Sequence, residues 1–115
     1  YKRQTNNTIR HIAAAFGVQP YFFIQPVPFF NYPNRSKDPL CSQVERPHFP
    51  LLYRQLEQLT ATRSHMHFLG NMLQQTVSVP FIDQFHYTPA MNQRIADSMV
   101  VQLAPLIDSL YLHKK

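Results

Sequence analysis

Tyr21-Phe22-Phe23-Ile24-Gln25-Pro26 is the stretch whose reading decides the fold. Its apolar run is too short for a helix, is rich in aromatic residues and is closed by Gln-Pro, which marks a strand. The run does not alternate between apolar and polar residues, so both faces of the strand are expected to be buried. That is the habit of an interior strand in a parallel sheet flanked by helices. An interior strand needs neighbours, and the rest of the chain is read for them.

Upstream, Ile9, Ile12, Ala13 and Phe16 fall at i, i+3, i+4 and i+7. This is the stripe of an amphipathic helix over 7–16, and Gly17 stands where a helix stops. Downstream, residues 27–50 are dense in proline (Pro28, Pro33, Pro39, Pro47, Pro50) among Phe29, Phe30, Tyr32 and Phe49. Such a composition forbids a regular ladder and predicts a long ordered loop. Leu52, Leu56 and Leu59 mark a second helical stripe over 51–63, with Arg54, Gln55 and Gln58 on the wet side. A short strand at His67-Phe68-Leu69 follows, then an irregular stretch over 70–80, and Phe81-Ile82 leads into Asp83.

Thr88-Pro89 supplies an N-cap and a proline at the first helical position, opening a helix with Met91, Ile95, Met99, Leu103 and Leu106 facing inward. Pro105 is expected to kink or break it near its end. The order helix, strand, helix, strand, helix is an α/β pattern in which each helix returns the chain and the strands run parallel. Two or three strands make too small a sheet, because a buried-type strand would keep an open edge and an apolar face in water. The missing strands are expected from further sequence of the same protein or from a partner chain. The whole of 1–115 is read as part of one domain.

The 115 residues, 44% of them apolar, suit one core of a globular protein. No stretch resembles a membrane span or a secretory signal, and the segment opens on Tyr1-Lys2-Arg3 without Met, as a processed or truncated product would. A net charge of +5 is spread over scattered Lys and Arg with no basic stripe, so nucleic acid is not an expected partner. The single Cys41 sits in the proline-rich loop away from any base, which excludes an internal disulfide and gives the thiol no catalytic setting.

Chemistry is concentrated in Phe81-Ile82-Asp83-Gln84-Phe85-His86-Tyr87-Thr88-Pro89, an Asp-x-x-His on a loop between an apolar strand-like approach and a capped helix. A histidine general base must have one ring nitrogen fixed by an acceptor while the other faces the nucleophile. A carboxylate three residues back in a turn can supply that acceptor. The competing reading makes Asp83 a turn residue bonding its own backbone and His86 a loop histidine. His65-x-His67 would place two imidazoles on one face of a strand, but no Cys or carboxylate cluster joins them, so no metal site is expected.

Phe81-Ile82-Asp83-Gln84-Phe85-His86, followed by Thr88-Pro89-Ala90-Met91-Asn92 and Arg94-Ile95-Ala96, resembles the last conserved block of SGNH/GDSL hydrolases, where Asp and His complete a triad. The helix, Gly17-Val18 and the strand through Pro26 are similar to the helix and late strand that precede the variable loop of bacterial members. The resemblance covers nearly all of the chain in layout and is specific in sequence only in the last block. It implies the C-terminal portion of a three-layer α/β/α sandwich with a parallel, flavodoxin-like sheet. It implies Asp83 and His86 as catalytic residues, no cofactor, and an ester substrate: a lipid, a small acyl ester or an acetylated carbohydrate.

The nucleophilic serine of a Gly-Asp-Ser turn and the Gly and Asn oxyanion donors of that family are not in these residues. Ser36, Ser42, Ser64, Ser78, Ser98 and Ser109 all lack the setting, and Gly70-Asn71 is not Gly-x-Asn-Asp. The resemblance therefore assigns this chain the acid and base half of the site, with the N-terminal part of the same protein as its partner. Phe85 and Tyr87 flank His86, and Gln25 ends the strand at the carboxyl edge where open α/β sheets bind ligands, which makes these three pocket candidates. An O-acyltransferase acting on a polysaccharide would use the same triad. A binding module that kept the fold and lost the chemistry is the reading from another class.

Overall fold

The computed structural model describes residues 2–113. The first helix, α1 (Lys2–Ala15), begins earlier than the 7–16 expected and ends on a left-handed Gly17 with φ 66°. Gly17 N–H bonds the Ala14 carbonyl at 3.1 Å and Val18 N–H bonds the Ala13 carbonyl at 2.8 Å. This paired closure satisfies the last carbonyls and requires the backbone sign that glycine tolerates. The stripe predicted to face a core is in water instead, with Ile12 56% and Phe16 79% exposed.

Strands β1 (Phe22–Ile24) and β2 (Met66–Phe68) pair in parallel, in the register Phe22↔Met66, Phe23↔His67, Ile24↔Phe68. β2 starts one residue before the expected position. Between them α2 (Phe49–Ala61) makes the return crossover. Phe68 meets the Tyr53 ring of α2 at 6.0 Å, whereas Phe23 packs against the buried cluster that holds Met91 and Ile95 of α3 (Pro89–Leu112). Phe23 and Phe68 sit at adjacent register positions and so project to opposite faces, Phe68 toward α2 and Phe23 toward that buried cluster. The architecture is mixed α/β around a small parallel sheet. The strands are half-buried rather than buried on both faces, because each has an edge without a neighbouring strand.

α2 starts at Phe49, inside the segment read as loop, with Pro50 in its first turn where no intrahelical donor is lost. Its buried positions are Tyr53 and Thr60, while Leu52 and Leu59 of the predicted stripe are exposed. The helix is rotated so that Tyr53 packs under the loop, stacking on Phe49 at 6.0 Å and meeting Phe30 at 5.5 Å. Phe30, 5% exposed and also against Phe68, is a core residue. Phe30→Ala is expected to lower the stability of the folded protein by about 3–5 kcal/mol in a denaturant titration, the loss typical of a buried aromatic.

The loop is held by Asp38, 1% exposed, whose carboxylate accepts from Tyr32 Oη at 3.0 Å and from Leu40 N–H at 2.9 Å. Its carbonyl receives Cys41 N–H and Ser42 N–H at 3.1 and 2.9 Å. Burial, then the Asp38 charge and hydrogen bond, push the Cys41 thiol up to about 11. Thiolate is the reactive form, so at pH 8 Cys41 is expected to react with a disulfide reagent about a hundredfold or more slower in the folded protein than in denaturant. Equal rates would show that the loop is not packed as described.

Thr88 Oγ1 accepts the Met91 N–H at 3.3 Å and opens α3, with Pro89 in the first turn. Met91 and Ile95 are buried and Met99 packs against the same cluster, but Leu103 and Leu106 are only half-buried. Pro105 does not end the helix, which runs on to Leu112 with Val101, Leu110 and Tyr111 exposed. By length and composition α3 is a helix that could cross a membrane, a feature the sequence reading did not anticipate. Its first turns are nevertheless committed to the core, and Arg94 donates to Thr76 Oγ1 and to the Met72 carbonyl, both at 3.3 Å. The radius of gyration is 16.4 Å, against about 13 Å for a compact chain of this length, because α1 and the end of α3 extend away from the buried cluster.

Candidate active site

Phe81 and Tyr87 form an antiparallel bridge, and Ile82 N–H bonds the His86 carbonyl while Thr88 N–H bonds the Pro80 carbonyl, each at 2.8 Å. Asp83-Gln84-Phe85-His86 is therefore the tip of a tight hairpin-like loop with a two-sided base. Phe81, 3% exposed, anchors the base through ring contacts with Tyr87 at 5.5 Å and Tyr32 at 5.9 Å. Packing below the loop leaves its tip free to carry chemistry.

At the tip, Asp83 Oδ1 accepts the backbone N–H groups of Phe85 and His86 at 2.7 and 2.8 Å, and Asp83 Oδ2 lies 2.7 Å from His86 Nδ1. Both expectations for Asp83, the turn residue and the histidine acceptor, are met by one carboxylate using its two oxygens. The Phe85 N–H, then the His86 ring and the His86 N–H, hold the Asp83 carboxyl down at about 2. A carboxylate is an acceptor only, so the proton of the 2.7 Å contact belongs on Nδ1, which leaves the Nε2 lone pair as the available base. The side chains are 75% (His86) and 50% (Asp83) exposed, so the pair adds little to stability and is open to a group arriving from outside.

The pocket candidates divide. Tyr87 donates its hydroxyl to the Pro26 carbonyl, tying the hairpin to the end of β1, and burial pushes its phenol up so that it stays a neutral donor. Tyr53 donates to the Gln25 carbonyl at 3.0 Å, with its own phenol raised to about 12 by burial. Two tyrosines thus cap successive carbonyls where β1 ends; the Tyr87 bond holds the base of the Asp83–His86 loop there, while Gln25 lines a cleft that neither Asp83 nor His86 reaches. Tyr53 was read only as part of a helix, and no local signal marks a tyrosine that bonds a backbone 28 residues away. Phe85 is 69% exposed and stands apart from the ring contacts that organise the loop.

No serine hydroxyl bonds to His86 among the described residues. Two clefts, of about 480 and 810 Å³, lie elsewhere: one between β2 and α3 and one between α1, β1 and α2, neither lined by Asp83 or His86. His65 Nδ1 and His67 Nε2 are buried without hydrogen-bond partners, and their rings pack on Tyr21 and Phe23. No group of three metal-ligating side chains occurs among the described residues. No family model, curated protein or solved structure matches the chain.

Proposed function

We propose that this chain is the acid and base half of a serine hydrolase site built on a three-layer α/β/α domain whose remaining strands, serine and oxyanion donors lie in an N-terminal part of the same protein. The observation that carries the proposal is the 2.7 Å contact of His86 Nδ1 with Asp83 Oδ2 on an anchored, exposed loop. In the reaction His86 Nε2 takes the serine proton as the serine oxygen bonds to the ester carbonyl carbon, and the oxyanion donors hold the tetrahedral intermediate. The intermediate collapses as the ester C–O bond breaks, and the imidazolium returns the proton to the departing alcohol. Water then attacks the acyl-serine by the same route in reverse roles.

Asp83 stays ionised throughout, because two backbone donors stabilise its charge independently of the ring. It fixes the tautomer and supports the imidazolium. A polysaccharide hydroxyl in place of the water would make the same site an O-acyltransferase. Turnover of a short aryl ester by the complete protein is the expected result, and a folded complete protein that turns over no ester of any acyl length would refute the proposal.

A further inference from the structure

The 810 Å³ cleft exposes the edge of β1 rather than one of its faces. Phe22, Phe23, Ile24 and Gln25 all line it, although successive residues of a strand point to opposite faces. The hydrogen-bond phase agrees: Phe22 N–H bonds the His65 carbonyl at 2.9 Å and the Ile24 carbonyl accepts Leu69 N–H at 2.8 Å. In a parallel ladder these residues turn toward β2, so the N–H and carbonyl of Phe23 and the N–H of Gln25 turn outward. The other edge is less free, since the outward Met66 N–H already bonds the Arg63 carbonyl at 3.3 Å.

Arg10 of α1 and Arg63 after α2 both line the cleft, and neither has a carboxylate within ion-pair distance among the described residues. α1 leads into β1 as α2 leads into β2, and a helix in that position is the return leg of a strand-helix-strand crossover. The strand that such a crossover starts from runs parallel to β1.

We propose that the free edge of β1 takes up one further strand, parallel to β1 and apolar, carrying a carboxylate where it passes Arg10 and Arg63. Its source, the same part of the protein that supplies the serine, rests on the hydrolase reading; its edge, direction and charge rest on the cleft. Backbone pairing to Phe23 and Gln25 supplies the affinity, and the arginines fix which strand is accepted.

Amide hydrogen exchange on the complete protein, resolved residue by residue, tests this. Phe23 and Gln25 N–H are expected to exchange about a hundredfold or more slower than free amides, as Ile24 does, at every protein concentration. Arg63→Glu should speed Phe23 exchange about tenfold, and Arg63→Lys should not. Retained protection at Ile24 reports the fold in each variant, and Arg10→Glu replaces Arg63→Glu if that protein fails to fold.

Free exchange at Phe23 beside a protected Ile24 overturns the added strand. Protection that grows with concentration in step with a dimer makes a second copy the occupant and overturns it equally. Indifference to both charge reversals overturns the acidic partner. Ester turnover in the same samples separates the two readings: an active protein with a freely exchanging Phe23 loses only the strand, and an inactive one with a protected Phe23 loses only the hydrolase.

Discussion

His86→Ala in the complete protein is expected to lower turnover of a short aryl ester by about a thousandfold or more while circular dichroism stays native. The side chain is 75% exposed and contributes no packing, so a loss of that size can come only from the chemistry. Asp83→Asn is also expected to cost much activity: the amide oxygen still accepts from Phe85 and His86 N–H and keeps the loop shape, but the amide NH2 then faces Nδ1 and favours the tautomer with its proton on Nε2, and only water holding the ring in its place would make the loss smaller than that of His86→Ala. The pH profile carries a sign that follows from the geometry. A carboxyl held down at about 2 is almost wholly charged from roughly pH 4 upward and gains its proton only in strong acid. A fall of activity in acid at pH values above that range therefore does not come from neutralising Asp83. Wild-type turnover in a folded His86→Ala protein would reduce Asp83-Gln84-Phe85-His86 to an ordinary turn.

The second large effect is on folding. Expressed alone, residues 1–115 are expected to associate or to melt without cooperativity, because β1 and β2 keep open edges and Ile9, Ile12, Phe16, Val101, Leu110 and Tyr111 face water. Near-ultraviolet circular dichroism should be weak, and Cys41 should react readily, in contrast to its slow reaction in the complete protein. A concentration-independent monomer with a sharp thermal transition and a shielded Cys41 would contradict this.

Much of the fold was legible where local chemistry is strong. Gly17 stops α1, Thr88-Pro89 opens α3, and Tyr21 to Ile24 reads as strand because glycine sign, capping and aromatic β propensity act within a few residues. What was misread depends on partners distant in sequence. The face of α2 turned to Tyr53 rather than Leu52 because the aromatic ring packs with Phe30 and Phe68 and its hydroxyl reaches the Gln25 carbonyl. Pro105 does not break α3, which runs through it to Leu112. In the candidate site, the contact of Asp83 with His86 was legible from the Asp-x-x-His turn, and Tyr87 is a tether to Pro26 as well as a neighbour of His86. Asp38 was passed over because a lone Asp in a proline-rich loop looks like a turn residue until Tyr32 and Cys41 close around it.

The most direct measurement is labelling of the complete protein with a fluorophosphonate, which phosphonylates only a serine whose proton is taken by an adjacent base, followed by mass mapping of the adduct. A single adduct on a serine outside residues 1–115, lost in His86→Ala and reduced in Asp83→Asn, is the predicted result. No adduct on the folded protein, or an adduct that forms equally well in His86→Ala, would contradict the assignment of Asp83 and His86 as the acid and base half of a serine triad.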